Sequence, residues 1–134
     1  MKAINAIRMG GLEVLPLVEG GKGISISNGI SSGNWAFTGG VGTFSAVNAD
    51  SFDASGHRIP QLYHGRTRRD RHEELVAYAI QGALTQARRA YDLACGKGRI
   101  NANILWEMGA AERIITEGLI KCHSEIEGNR SMIR

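Results

Sequence analysis

An α/β fold is predicted by three features of the chain. Strand, glycine loop, helix and strand follow one another over residues 15–47, a helical apolar period covers residues 70–94, and a strand-like alternation covers residues 99–106. Strands separated by helices of this length pair in parallel, because a crossover helix returns the chain to run in the same direction. With 134 residues the chain has material for one hydrophobic core and one domain.

The elements follow in order. Residues 3–9 and 13–18 are short apolar or alternating runs split by Gly10-Gly11, which suits a small hairpin, or a lead-in strand before the first core strand. Pro16 lacks an N–H and weighs against a central position for the second run. Residues 28–39 contain Ile30, Trp35, Ala36 and Phe37 and stop at Gly39, the pattern of a short helix. Residues 41–47 (VGTFSAV) read as a buried strand, completing a βαβ unit. Residues 48–69 show no sustained period and are rich in Asp, Ser, Gly, His, Pro and Arg, so a long loop is expected, of the kind that serves as a functional lid or a mobile segment.

Asp70 with Glu73 resembles a helix-capping pair, and Leu75, Val76, Ala79, Ile80, Ala83, Leu84, Ala87 and Tyr91 recur at helical spacing. An amphipathic helix over residues 70–94, ended by Gly96-Lys97-Gly98, follows. In the third strand, residues 99–106, alternation places Ile100, Ala102, Ile104 and Trp106 on one face and Asn101, Asn103 and Leu105 on the other. A final helix over residues 109–123 closes the domain, 1–123, and residues 124–134 form a polar, loosely ordered tail.

Composition excludes several classes. Hydrophobic residues at 43% and charged residues at 22% match a globular protein and not a disordered one. The net charge of +3 is small and concentrated at Arg66 to Arg71, so no broad nucleic-acid surface is expected. That cluster precedes the positive end of a helix dipole, where an anionic partner competes with a plain solvated helix start. Cys95 and Cys122 lie outside any zinc or CxxC spacing and read as reduced, buried thiols. The first residues lack a signal-peptide core and no apolar run is long enough for a membrane helix, so no membrane partner and a cytoplasmic location are expected.

Eighteen glycines invite motif readings, most of which fail on context. Gly40-Val41-Gly42-Thr43 precedes a strand where a dinucleotide fingerprint must follow one. In Gly20-Gly21-Lys22-Gly23 the lysine is followed by Gly23, where a phosphate loop needs Ser or Thr. Gly29-Ile30-Ser31-Ser32-Gly33 matches the GxSxG pattern of a serine hydrolase with Ser31 as nucleophile, a lesser alternative against a serine-rich helix start. His57, His64 and His72 with Glu73 lack metal-ligand spacing, so no metal is assigned. Asn103 lies between apolar strand neighbours; a bound flavin edge or the neighbouring backbone is its expected hydrogen-bond partner.

Taken together, Leu15-Pro16 before Gly20-Gly21-Lys22-Gly23, Ala36 to Gly39 before Gly40-Val41-Gly42-Thr43, and Asn101-Ala102-Asn103-Ile104-Leu105 resemble in order and spacing the amino-terminal part of the nitronate monooxygenase family, formerly called 2-nitropropane dioxygenases. The resemblance spans about residues 11–113. It implies an FMN-dependent (β/α)8 TIM barrel, present here as an incomplete barrel of the first three βα units with a long loop after strand 2. It also implies an oxidoreductase that oxidises alkyl nitronates with dioxygen through a reduced flavin, with a nitronate or nitroalkane as substrate. On the matching positions, Gly20, Gly21, Lys22 and Gly23 run along the flavin ring and Asn103 contacts FMN, at the C-terminal strand ends where barrel sites form. The family's catalytic His and main flavin-phosphate loops lie on later strands, so no catalytic residue is assigned here. A barrel needs roughly 200 residues or more. The chain therefore reads as a truncated or split product, with a homo-oligomer or a complementing chain as partner. A non-catalytic remnant or self-associating module is the alternative.

Overall fold

A computed structural model describes residues 4–132 of the chain. It opens with an antiparallel hairpin of β1 (Ile7–Met9) and β2 (Leu12–Val14). Gly10 and Gly11 turn it with φ of +53° and +82°, the left-handed pair that a two-residue hairpin requires. The hairpin is largely exposed, and Arg99 anchors it by donating from Nε to the Met9 carbonyl at 3.0 Å and from Nη2 to that of Gly10. Residues 15–19 then run beside the next strand. Val41 N–H donates to the Leu17 carbonyl and Glu19 N–H to that of Val41, each at 2.8 Å, around a parallel bridge between Val18 and Val41.

Helix α1 (Gly29–Phe37) is capped by Asn28, whose side chain accepts from the Ile30 and Ser31 N–H groups. It leads into β3 (Val41–Ser45), which pairs in parallel with β4 (Arg99–Asn103) from Val41 opposite Arg99 to Ser45 opposite Asn103. The crossover between them is α2 (Arg68–Ala94), preceded by the irregular residues 46–67. Beyond β4, α3 (Ala111–Arg113), a π-helical stretch Ile114–Leu119 and α4 (Ile120–Met132) follow without a break.

The core lies between α2 and one face of the parallel pair. Phe44 packs with Val76, Ala79, Ala83 and Ala87 of α2 and with Ile114, while Ile100 and Ala102 of β4 lie against the same cluster. Small residues set the spacing. A Cβ at Gly33 would fall 2.6 Å from the Leu93 Cβ, and one at Gly42 or Gly82 would overlap the carbonyl of Ser32 or Ala49. Helices and strand approach backbone to backbone, which glycine alone permits.

Strand alternation sends Val41, Thr43 and Ser45, with their partners Arg99, Asn101 and Asn103, to the opposite face. That face explains the main correction. The incomplete (β/α)8 barrel expected from the resemblance is not formed: the chain is a small mixed α/β fold with two two-stranded sheets. A barrel interior is filled by bulky branched side chains, whereas this face carries, besides Val41, the guanidinium of Arg99 and the hydroxyls and amides of Thr43, Ser45, Asn101 and Asn103. Among the described residues, β4 also has no strand on its second edge.

Boundaries shift as well. The third strand ends at Asn103, so Trp106 stands 78% exposed beyond it instead of continuing the apolar face. Residues 124–132 continue α4, so the expected loose tail is helical through Met132. The cap of α2 is Thr67 with Asp70, not Asp70 with Glu73. Cys122 is buried as expected, but Cys95 is exposed at the left-handed C-cap of α2. The stretch at residues 3–9 is a strand only from Ile7, and Ala3 lies outside the described residues.

Candidate functional site

The C-terminal ends of the parallel strands converge on the Gly20 to Gly23 loop. Residues 15–19 follow β3 as far as Glu19, then the chain peels away at Gly20, and the Glu19 side chain takes over the ladder: its Oε2 accepts from Thr43 N–H at 3.0 Å. Glu19 is a buried carboxylate, 6% exposed, and that charge-assisted bond is one that a buried anion needs. The loop is held down by Ser27, whose Oγ accepts from Lys22 N–H at 3.0 Å while its carbonyl accepts from Ser45 N–H at 2.8 Å. One buried serine thus ties the loop to the end of β3.

Across the sheet, Gly21 lies against Asn103, and a Cβ on it would sit 2.6 Å from the Asn103 Cγ. Of the expected site residues, Gly21 and Asn103 are brought into direct contact. Lys22 and Gly23 lie in the same exposed loop, Gly23 with φ of +27°, and Gly20 has open space where a Cβ would project. Beside Asn103 and further along β3, the hydroxyls of Ser45 and Thr43 are buried and have no hydrogen-bond partner among the described residues. At the same end of the sheet, a cleft of about 540 Å³ opens between Ile24 and Ser25 and the long loop at Asn48, Asp50, Arg58 and Tyr63.

Sequence reasoning missed Glu19, Ser27, Thr43 and Ser45. A signal for Glu19 existed: a carboxylate closing the apolar run Leu15 to Val18 sits where strand ends carry site residues. No signal marked Ser27, whose role depends on a loop and a strand meeting in space.

Other motif residues are accounted for structurally. Ser31 is the third residue of α1, and its Oγ joins the capping box with the Asn28 backbone at 3.2 and 3.1 Å. Ile24 to Ile26 form a turn rather than a strand, so no nucleophile elbow is built. Gly29 and Gly33 serve the packing of α1 on α2, with Gly29 N–H donating to the buried Gln86 Oε1 at 2.7 Å. The histidines are dispersed: His57 pairs with Asp53, His64 N–H donates to Glu74, His72 lies beside Gly109 and His123 meets the Tyr91 hydroxyl. Among the described residues no metal-binding cluster of His, Cys, Asp or Glu occurs. No described helix is long and apolar enough to cross a membrane. In comparisons with known proteins, the chain matches no family model, no curated protein and no solved structure.

Proposed function

We propose that the chain binds FMN at the C-terminal ends of β3 and β4, contributing part of an oxidoreductase site of the nitronate monooxygenase type. The observation that carries this reading is the apposition of Gly21 and Asn103, two residues 82 positions apart whose pairing makes a side-chain-free backbone ledge beside an amide. A flat ring stacks on such a ledge, and an amide offers both a donor and an acceptor to the edge of a flavin.

The surrounding groups fit the cofactor on a further observation, the Thr43 and Ser45 hydroxyls of the same face, which have no hydrogen-bond partner among the described residues. Arg58 in the adjoining cleft, 3.3 Å from Asp50, is a cation within the site's surroundings for a phosphate. Bound there, FMN would supply the redox chemistry between a nitronate and dioxygen. The residues of this chain orient the ring through Asn103 and shape its contact surface through the glycine loop. None of the four histidines has a hydrogen bond to these groups among the described residues.

Titration of the purified chain with FMN, followed by flavin fluorescence, tests the reading. Binding that weakens about tenfold in Asn103→Ala, one charge-free hydrogen-bonding edge removed, supports it, and no binding at millimolar flavin overturns it. Self-association is a second reading, favoured by the edge of β4 that has no strand among the described residues and by Leu105 and Trp106, 55% and 78% exposed past the strand's C-terminal end. Sedimentation showing a monomer at all concentrations would remove it.

A further inference from the structure

The cleft of about 540 Å³ beyond β3 is open to solvent, with Ile24 and Tyr63 exposed in its lining. Open α/β sheets bind ligands in crevices outside the carboxyl ends of their strands, and small-molecule pockets span roughly 300–1,000 Å³. Asn48 enters the lining three residues past Ser45, where β3 ends. Asn48 and Ser25, also in the lining, hold left-handed backbone with φ of +46° and +58°. Non-glycine residues in that region are uncommon and gather at ligand clamps, where surrounding contacts hold them. The contacts here are directional. Asp50 is held at three points: its N–H donates to Ser25 Oγ at 3.2 Å, its carbonyl accepts from the buried Gln86 Nε2 at 2.6 Å, and its Oδ1 lies 3.3 Å from Arg58 Nε. The Tyr63 hydroxyl donates to Gln61 Oε1 at 2.8 Å, and Gln61 Nε2 donates to Asn48 Oδ1 at 3.0 Å. The Asn48 oxygen is therefore engaged, and its Nδ2 donor has no partner among the described residues. The Asp50 carboxylate is an acceptor only. An edge-on contact with Tyr78, ring centroids 5.8 Å apart, steadies the Tyr63 ring.

We propose that this cleft binds a free nucleoside through the cyclic-amide edge of its base, the ring N–H donating to Asp50, the neighbouring carbonyl accepting from Asn48 and the ring face lying against Tyr63. Fixed polarity selects this class of ligand. A hydroxyl donates or accepts as needed and calls for no such pair, whereas a cyclic amide carries one donor beside one acceptor. Exposed bases stack on aromatic side chains, which is the part given to Tyr63. Arg58 and Asp50 are the charged residues of the lining and cancel, unlike the cationic track that a polynucleotide needs. The site is separate from the contact of Gly21 with Asn103 and does not rest on the flavin reading.

Ligand-observed NMR titrations of the purified chain test this with uridine and inosine, which carry the edge, with 3-methyluridine and 1-methylinosine, in which a methyl group replaces the hydrogen on the ring nitrogen, and with ribose. Uridine or inosine is expected to bind at millimolar concentration or below, and its methylated form about tenfold more weakly, because the Asp50 acceptor is then left unmatched. Asp50→Asn and Asn48→Asp, the latter keeping the Oδ1 that Gln61 needs, are each expected to weaken the binding about tenfold with the fold intact by circular dichroism. The methyl series uses the unsubstituted chain, so it decides even where a variant does not fold. Equal binding of methylated and unmethylated bases, ribose binding as strong as that of the nucleosides, or no nucleoside binding overturns the site. So does an affinity that falls in Asn103→Ala but not in the two cleft variants, which would move the base to the Gly21 ledge. Failure of FMN to bind the unsubstituted chain overturns the flavin reading and leaves this one standing.

Discussion

At the scale of single residues, position in the fold separates groups that look alike in the sequence. Burial pushes the Cys122 thiol above its ordinary range, whereas Cys95 is exposed. Because the thiolate is the reacting form, iodoacetamide at neutral pH should label Cys95 well before Cys122. Peptide mapping with equal labelling of both would contradict this. Acid sensitivity is also local. Hydrogen bonds with Thr67, the side chain first and the backbone second, hold the Asp70 carboxyl below its ordinary 3.8. The Arg113 hydrogen bond does the same for Glu117 relative to 4.5. A carboxyl lowered by folding contributes stability above its unfolded value and loses it as pH falls through the folded one. Asp70→Asn should therefore flatten the loss of stability below about pH 4, measured by urea unfolding across pH; an unchanged acid limb would refute it.

At the scale of elements, helical periodicity was readable because α2 buries one continuous face. Val76, Ala79, Ala83 and Ala87 were legible from spacing, and all are buried. Gly82 and Gln86 on the same face were not, because a glycine against the Ala49 carbonyl and a glutamine bridging Gly29 N–H and the Asp50 carbonyl answer to distant backbone. Gly82→Ala should lower stability by about 1–3 kcal/mol through overpacking, while Gly20→Ala, with open space at its Cβ, should be neutral within about 0.5 kcal/mol. Chemical denaturation distinguishes them, and equal effects would disprove the packing account. The Gly29 and Gly33 pair makes the same point from the other side. Its spacing suggested a nucleophile elbow, but its use is the close contact of α1 with α2.

At the scale of the whole molecule, the parallel pair β3 and β4 has a packed face and a polar one, joined by a single long crossover helix. Phe44 anchors the packed face at 2% exposure, so Phe44→Ala should cost about 3–5 kcal/mol in the same denaturation assay; a loss below 1 kcal/mol would place the core elsewhere. The exposed Trp106, past the C-terminal end of β4, makes a further prediction. Trp106→Lys should reduce any concentration-dependent association seen in sedimentation, and association that persists unchanged would exclude the Trp106 surface.

The sequence by itself determined the alternation of strand and helix, the long amphipathic α2, the hairpin turn at Gly10-Gly11 and the residues of the glycine loop, because each is encoded by local spacing and backbone preference. Only the tertiary structure decided that the strands form two pairs and no barrel, that Gly21 meets Asn103, and that Glu19, Ser27, Thr43 and Ser45 share one end of the sheet. The reason is physical: strand partners and buried polar contacts join residues tens of positions apart, and their energies depend on packing that no local pattern records.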